Sequence, residues 1–542
     1  MVKSRHEDAM IKNRVRWQLC SLGVVVGVAG CDTVWSNVAE DCESILMCEH
    51  HRGLWSGTGG SIPNPHCEAD PTKDASTVTD ECAVFASASA EPGGDGTQEK
   101  PYASLGEAVS KANGKRVLAC ASGAFAEGVR IEAGVEVIGG FDCDAGWTWS
   151  EEARSAIEGP ANEIALTLGE GASGAKVRSF AVTAASATEL GGSSIGVAVA
   201  DVEAELAQVD VTAGDGMDGA KGETPMEAPQ AGASAPDTGE TGASNACELP
   251  DAVRGGDPGV TMCEDGETRG GAGGLGGITG TDDGNGQPGE NGAPLPEPNP
   301  SNRGLGGIGQ IGADGECDVG AKGKGGDSGR AGIAGSDTQL TLDGIAGGDG
   351  GNGLTGKKGQ GGGGGGGAKA GQFCGTSTNL VNGPGASGGG GGAGGCGGKG
   401  GGGGKAGGSS IGIVSLGTKL VLKEVTVEVG TAGKGGDGAG GRGGAAGGSG
   451  AAGGAASSLG GSIGCRGGDG GQGGMGGTGA GGRGGHAVGV AYAAAPSAAF
   501  ALKSFMAGTP GNGGSMAPGG NGGEAGKSGE CWDFTTNASC GQ

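Results

Sequence analysis

The side chains that could do chemistry are few and scattered. Cys42, Cys48, Cys67 and Cys82 lie near the N-terminus with His50, His51 and His66 among them. Thiols and imidazoles in one stretch could hold zinc. Their spacings match no pattern such as C-x₂-C with H-x₃-H, so disulfides are the expectation there. Gly526-Lys527-Ser528 resembles the end of a phosphate-cradling loop, but the required first Gly falls on Asn521 and no strand precedes it. Gly347 to Thr355 nearly fits the calcium-binding nonapeptide G-G-x-G-x-D-x-U-x, with Asn352 in the Asp position. Such sites are made by stacked repeats, so one imperfect copy gives calcium little support and no other cofactor is raised. Glycoside hydrolysis needs two close carboxyl groups. Asp282-Asp283 is the candidate pair and sits in a Gly-rich loop, while Glu127 and Asp142 suit turn roles. His486 is the sole His after residue 66. The sequence therefore offers no catalytic constellation and no metal set, and the expectation is a protein that is not an enzyme.

Cysteine chemistry points instead to export. Lys12, Arg14 and Arg16 precede the apolar stretch Leu19 to Val28, and Val28-Ala29-Gly30-Cys31 follows. A basic region, a short apolar run and small residues make a signal peptide, too short to span a bilayer permanently. The tetrad resembles a lipobox, the cleavage and lipidation signal of bacterial lipoproteins. That resemblance makes Cys31 the first mature residue and the bearer of the lipid. Of the 16 Cys, removing Cys20 and Cys31 leaves fourteen, an even number that suits disulfides in an exported chain. Cys531 and Cys540 read as a local pair. Cys120 and Cys143 bracket two strand–turn units, and closing the loop between them is worth roughly 3 kcal/mol.

The elements that carry these residues are set by glycine. Of 542 residues 139 are Gly, and aromatics are only 3%. One ordinary core over the whole length is excluded, because large apolar side chains supply most burial energy. Pro, at 20, is too scarce for collagen. A formal charge of −26 argues against nucleic acid as a partner. Composition shifts sharply along the chain: residues 1–150 hold 18 Gly and residues 301–400 hold 42.

Near residue 104 a short helix is expected. Ser104 and Glu107 form a capping box, and Leu105, Ala108, Val109 and Ala112 form one stripe. Short strands follow, punctuated by Gly: Val117 to Cys120, Val129 to Ile131 and Val135 to Ile138. A strand pattern then recurs at 177–183, 206–212 and 422–428, and loosely at 502–506. Ser193-Ser194-Ile195-Gly196-Val197 and Ser409-Ser410-Ile411-Gly412-Ile413 share a lead-in. Recurrence of lead-in and strand together suits a solenoid, in which each short strand stacks on its equivalent one coil away. The copies should then be neighbours in one parallel sheet. Val182, Leu206, Val209, Val211, Leu422, Val425 and Val427 should point inward, and Arg178, Gln208 and Lys423 outward.

The stretch from Gly93 to Cys143 resembles the N-terminal part of pectin-lyase-like right-handed parallel β-helix proteins, more closely exported lipoproteins of myxobacterial type. The residues that carry this are Asp95-Gly96-Thr97, Pro101-Tyr102, Leu105, Ala108-Val109, Ala112, Phe125-Ala126-Glu127 and Val135 to Phe141. The resemblance implies a mainly β, right-handed parallel β-helix with an N-terminal helical cap. It bears little on activity, since such folds host many functions. The Gly-rich remainder resembles the repeat tracts called PGRS.

Those tracts have a period. Gly recurs every third residue from 344 to 365, 385 to 403, 435 to 453 and 461 to 485. Three residues is the repeat of the polyproline II helix, and Gly at every third site leaves one edge bare for close packing. The tracts thus read either as bundles of polyglycine-type helices or as flexible loops, because Gly loses the most entropy on ordering. The resulting organisation is 1–30 signal peptide, 31–92 Cys-rich head, 93–212 capped β-helix coils, 213–408 Gly-rich insertion and 409–430 coil. It continues with 431–485 Gly-rich insertion, 486–507 coil and 508–542 Gly-rich tail with a Cys pair. The functional expectation is a non-catalytic lipoprotein of the cell envelope, structural or adhesive, held to the outer membrane or cell surface by its lipid. Extracellular polysaccharide or other surface proteins are the expected partners. The alternative is a carbohydrate-binding or polysaccharide-degrading β-helix.

Overall fold

A computed structural model describes residues 65–496 and 501–540. They divide into a small unit, residues 65–83 with 112–115, and a large unit, 84–111 and 116 onward. In the small unit the Cys67–Cys82 disulfide ties a 3-10 turn, Pro65–Glu68, to a second turn region. Asp74 caps the 3-10 turn Ala75–Thr77 by accepting from the Ser76 amide.

The large unit is mainly β, and its two large sheets are built mainly of parallel pairings, with short antiparallel additions at Thr148–Trp149 and Ala538–Ser539. The first contains Arg116–Cys120, Glu136–Asp142, Ala175–Ala184, Ala204–Ala213, Thr426–Val429 and Ser504–Met506 side by side. The second contains Val129–Ile131, Ile164–Leu168, Ser194–Val199, Ser410–Ser415, Ala487–Tyr492 and Ser528–Asp533. From Arg116 onward the chain passes back and forth between the two sheets, interrupted between Ala213 and Ser410 by three separate two-stranded hairpins. No described helix is long and apolar enough to cross a membrane.

The three strand copies are neighbours. Val177 pairs with Leu206 and Val182 with Val211, and Val211 pairs in turn with Val427. Ile195 pairs with Ile411 in the other sheet. Both long-range registers are offset by the same 216 residues (427 − 211 and 411 − 195), so the chain between them leaves and returns without slipping. This tolerance is entropic, because loop closure costs rise only logarithmically with length. Val182, Leu206, Val209, Val211, Val425 and Val427 are buried. Lys423 is exposed, and Arg178 and Gln208 are half-buried. Leu422 is half-buried as well, because Leu420–Lys423 pairs only with Ala204–Ala213 and so lies at a sheet edge.

The break after Lys423 has counterparts in the neighbouring strands. Ser179, Gln208 and Glu424, at equivalent positions, all take positive φ, at 58°, 53° and 53°. Non-Gly residues adopt this conformation at a cost of about 1 kcal/mol or more, so these bends are imposed by the stacking. In the second sheet Gly196, Gly412 and Gly489 stack in the same way. A Cβ on the first two would strike the Cγ1 atoms of Val211 and Val427. The recurrent Ser-Ile-Gly lead-in thus lets the two sheets close on each other. The outer face of the second sheet is also covered. Leu340 and Ile345, from the hairpin Thr338–Thr341/Gly344–Gly347, pack against the cluster that contains Ile195, Ile411 and Val488. Ser194–Val199, Ser410–Ser415 and Ala487–Tyr492 are buried at every position, and burial on both faces explains why they carry no charged residue.

At the start of the large unit the helix Leu105–Ser110 buries Leu105, Ala108 and Val109. Ser104 Oγ accepts from the Glu107 amide, and Glu127 accepts from the Leu105 amide at 2.6 Å and from Ser104 Oγ at 2.7 Å. A carboxylate brought from 22 residues away therefore completes the cap of the orphan amides.

The glycine tracts are extended segments joined by backbone hydrogen bonds, and the bonds recur every three residues. Segment 350–368 donates to 386–404, running antiparallel, and 389–407 donates in parallel to 465–483. Segment 467–485 donates antiparallel to 433–451. Each segment has three rows of residues, and different rows bond different neighbours. The seven consecutive glycines 361–367 show the limiting case. Their amides donate to carbonyls in 287–293, 318–321 and 389–392, and their carbonyls accept from amides in 271–274, 307–310 and 465–468. This run is therefore surrounded by six segments, and no row is left where a side chain would fit. Its interior is stabilised by satisfied peptide groups and close backbone contact in place of apolar side chains.

Candidate functional site

A recess in the glycine-rich body forms where this regular pairing fails. Segment 219–235 follows 434–449: Gly219 donates to Lys434 O, Gly222 to Asp437 O and Gly232 to Ala446 O. An advance of ten positions (222 to 232) thus opposes one of nine (437 to 446). Pro225 and Pro229 fall in this interval and have no amide to donate. The chain bows outward and leaves a cleft of about 320 Å³. Its charged lining is Glu227, Glu264, Asp265, Lys357 and Lys399, with Cys263 and Cys396 in the wall.

The chemistry of the cleft is that of paired charges. Lys399 Nζ bonds Glu264 Oε1, and this hydrogen bond, aided by the field of Glu227, raises the lysine above its ordinary pKa. Asp265 accepts from the Lys358 amide at 3.1 Å, and Lys358 Nζ donates to its carbonyl. The two thiols are joined to each other, which removes them as nucleophiles. Among the described residues no group of three His, Cys, Asp or Glu could hold a metal ion.

His486 occupies a second special environment, at the entry to Ala487–Tyr492, and is buried. Its Nδ1 accepts from the Lys527 amide at 2.9 Å, so the proton of the neutral ring sits on Nε2 and is donated to Thr338 Oγ1, also at 2.9 Å. Phe534 meets the ring edge-on at 4.9 Å. Burial, with Arg483 and Lys527 nearby, pushes its pKa down to about 3. A neutral ring with both nitrogens engaged joins three chain segments and is not free to shuttle protons.

The other side chains singled out from sequence have local partners. Asp349 accepts from the Ala406 amide and from Lys405, and Asn352 from the Gly403 amide, so the calcium-like nonapeptide is bonded to a neighbouring segment. Asp282 and Asp283 form a turn, both at positive φ. Asp142 accepts from the Asp144 and Ala145 amides. Lys527 and Ser528 lead into a strand.

Cys120 is bonded to Cys143 and Cys531 to Cys540. Cys31, Cys42 and Cys48 lie outside the described residues. Three further disulfides, Cys247–Cys374, Cys263–Cys396 and Cys317–Cys465, cross-link the glycine segments. Their partners are 127 to 148 residues apart, and no local spacing signals them.

A second set of polar residues forms a seam that composition alone does not reveal. Asp215, Asp218, Ser234 and Asp237 accept from the amides of Thr431, Lys434, Ser449 and Ala452. The amides they take, at 431, 434, 449 and 452, are spaced in multiples of three and so lie on one row, where these side chains replace the carbonyls of a missing neighbour. Asp437 does the same for the Ser515 amide. The hydrogen bond from Lys434, and after it that from the Ser515 amide, holds its carboxyl down at about 2. No family model, no curated protein and no solved structure matches the chain.

Proposed function

We propose that this chain is a non-catalytic exported lipoprotein of the cell envelope, structural or adhesive in role, with Cys31 carrying the lipid. Its alternating parallel strands form the coils of a right-handed β-helix, capped by the helix at Leu105. The glycine segments form a bundle of polyglycine-type helices carried on that scaffold. The observation that carries the structural reading is the 361–367 run, whose donors and acceptors are taken up by six neighbouring segments. Such a body is stiff, depends little on apolar burial, and holds its shape through backbone bonds and disulfides. Six disulfides among the described residues suit an oxidising exterior. The large apolar side chains exposed among the described residues are aliphatic or Met, which gives a sugar-binding aromatic platform no support. The deciding experiment is fractionation of cells making the wild type or Cys31→Ala with labelled fatty acid, combined with protease treatment of intact cells. The wild type should carry label, sediment with membranes and be cleaved from outside. A Cys31→Ala protein that still incorporates label and still sediments refutes the anchor.

A further inference from the structure

A groove between two glycine segments is only partly filled. Segments 433–454 and 464–485 lie side by side, and the C-terminal segment 508–515 sits over one end of the groove between them. It accepts from the Gly435 and Gly438 amides through Asn512 O and Ser515 O, and it donates from Gly511 and Gly514 to Gly485 O and Gly482 O. The chain then turns back, with Gly520 donating to Ala517 O. Beyond that turn the groove continues with its bonding groups in the same register. The amides of Gly441, Gly444 and Gly447 continue the row of Gly435 and Gly438, and they donate to nothing among the described residues. The carbonyls of Gly476, Gly473 and Gly470 continue the row of Gly485 and Gly482, and among the described residues they accept no amide. Gly441, Gly444 and Gly447 are half-exposed. At the far end the Asp469 carboxylate takes the Gly450 amide at 3.1 Å and closes the track.

We propose that this open stretch is a docking site for an extended segment of another chain with Gly at every third residue. The occupant would run in the direction of 508–515, receive the three free amides and donate to the three free carbonyls. The argument is continuity: the filled half already shows which backbone fits and which residue type it needs. A Cβ at Gly511 or Gly514 would collide with Gly433 O or Gly436 O. At about 3.1 Å per residue the open stretch is on the order of 25 Å long, room for roughly nine residues. Recognition is through backbone groups alone, as when a strand is added to a sheet edge, and the x residues of the occupant face away. The site rests on the hydrogen-bond pattern and does not depend on how the protein is anchored.

The test is residue-resolved hydrogen exchange on the purified full chain. The probe is a synthetic peptide copying residues 508–516 at millimolar concentration, and the control is the same peptide with Ala at its three repeat glycines, positions 508, 511 and 514. Alone, the protein should exchange Gly441, Gly444 and Gly447 at least tenfold faster than Gly435 and Gly438. The glycine peptide should slow those three amides at least tenfold, and the alanine peptide should not. The proposal is overturned if the three amides are already as slow as Gly435 and Gly438. It is also overturned if the glycine peptide leaves them unchanged, or if both peptides slow them equally.

Discussion

Gly364→Ala is a direct test of whether backbone contact holds the glycine body together. Gly364 is buried, donates to Glu290 O at 2.9 Å and accepts from the Gly307 amide at 2.8 Å. A Cβ added there would lie 2.5 Å from Ala272 C, and its carbonyl oxygen is nearer still. Ordinary carbon–carbon contact needs about 3.5–4.0 Å, so segment 270–278 would have to recede by about 1 Å or more. The bond from the Gly274 amide to Gly365 O, now 2.8 Å, and the one from Gly271 to Gly362 O, also 2.8 Å, would then stretch beyond hydrogen-bonding range. Each buried amide left unpaired costs about 1–3 kcal/mol, and the two amides of Gly271 and Gly274 put the loss at roughly 2–6 kcal/mol. The gain from a less flexible unfolded chain offsets only about 0.4–1 kcal/mol. Gly443→Ala is the matched control, because a Cβ there meets nothing within 4 Å. It should be neutral, or stabilising by up to about 1 kcal/mol. Urea unfolding of both variants with disulfides intact measures the difference. Equal midpoints for Gly364→Ala and Gly443→Ala would refute the close-packed description.

Other outcomes follow from the same structure. His486 has its folded pKa near 3, below the ordinary 6.5, so the unfolded chain binds the extra proton first. Its contribution is full above about pH 6.5 and is lost as pH falls toward 3, and His486→Asn should flatten the thermal midpoint across that window. Asp437, with its carboxyl near 2, contributes fully above about pH 4 and loses that stability only as pH approaches 2; Asp437→Asn should leave the midpoint flatter there. Replacing Cys317 and Cys465 together by Ser opens a loop of 148 residues and should cost up to about 5 kcal/mol in unfolding free energy, read by urea titration without reductant. Glu424→Val should destabilise by about 1–2 kcal/mol because φ is 53° there, whereas Glu424→Gly should be close to neutral in the same assay.

Local order was written in the sequence wherever neighbouring residues decide it. The Ser104–Glu107 cap, the apolar stripe of the helix and the alternation in 204–213 need only contacts within a few residues. The Gly period of three was equally visible, because a row that faces another backbone has no room for Cβ. The paired strands at 206–212 and 422–428 were legible too, since equivalent positions in a stack meet equivalent surroundings. What the sequence left open was whether the glycine tracts order at all. A single such segment has no internal hydrogen bonds, so its stability lies entirely in its neighbours, and composition cannot count neighbours. Tertiary structure alone decided that 361–367 has six of them, that Cys263 meets Cys396 across 133 residues, and that His486 joins Thr338 to Lys527. These contacts depend on where whole segments come to lie, which follows from the sum of many weak backbone bonds and has no signature in any one stretch of residues.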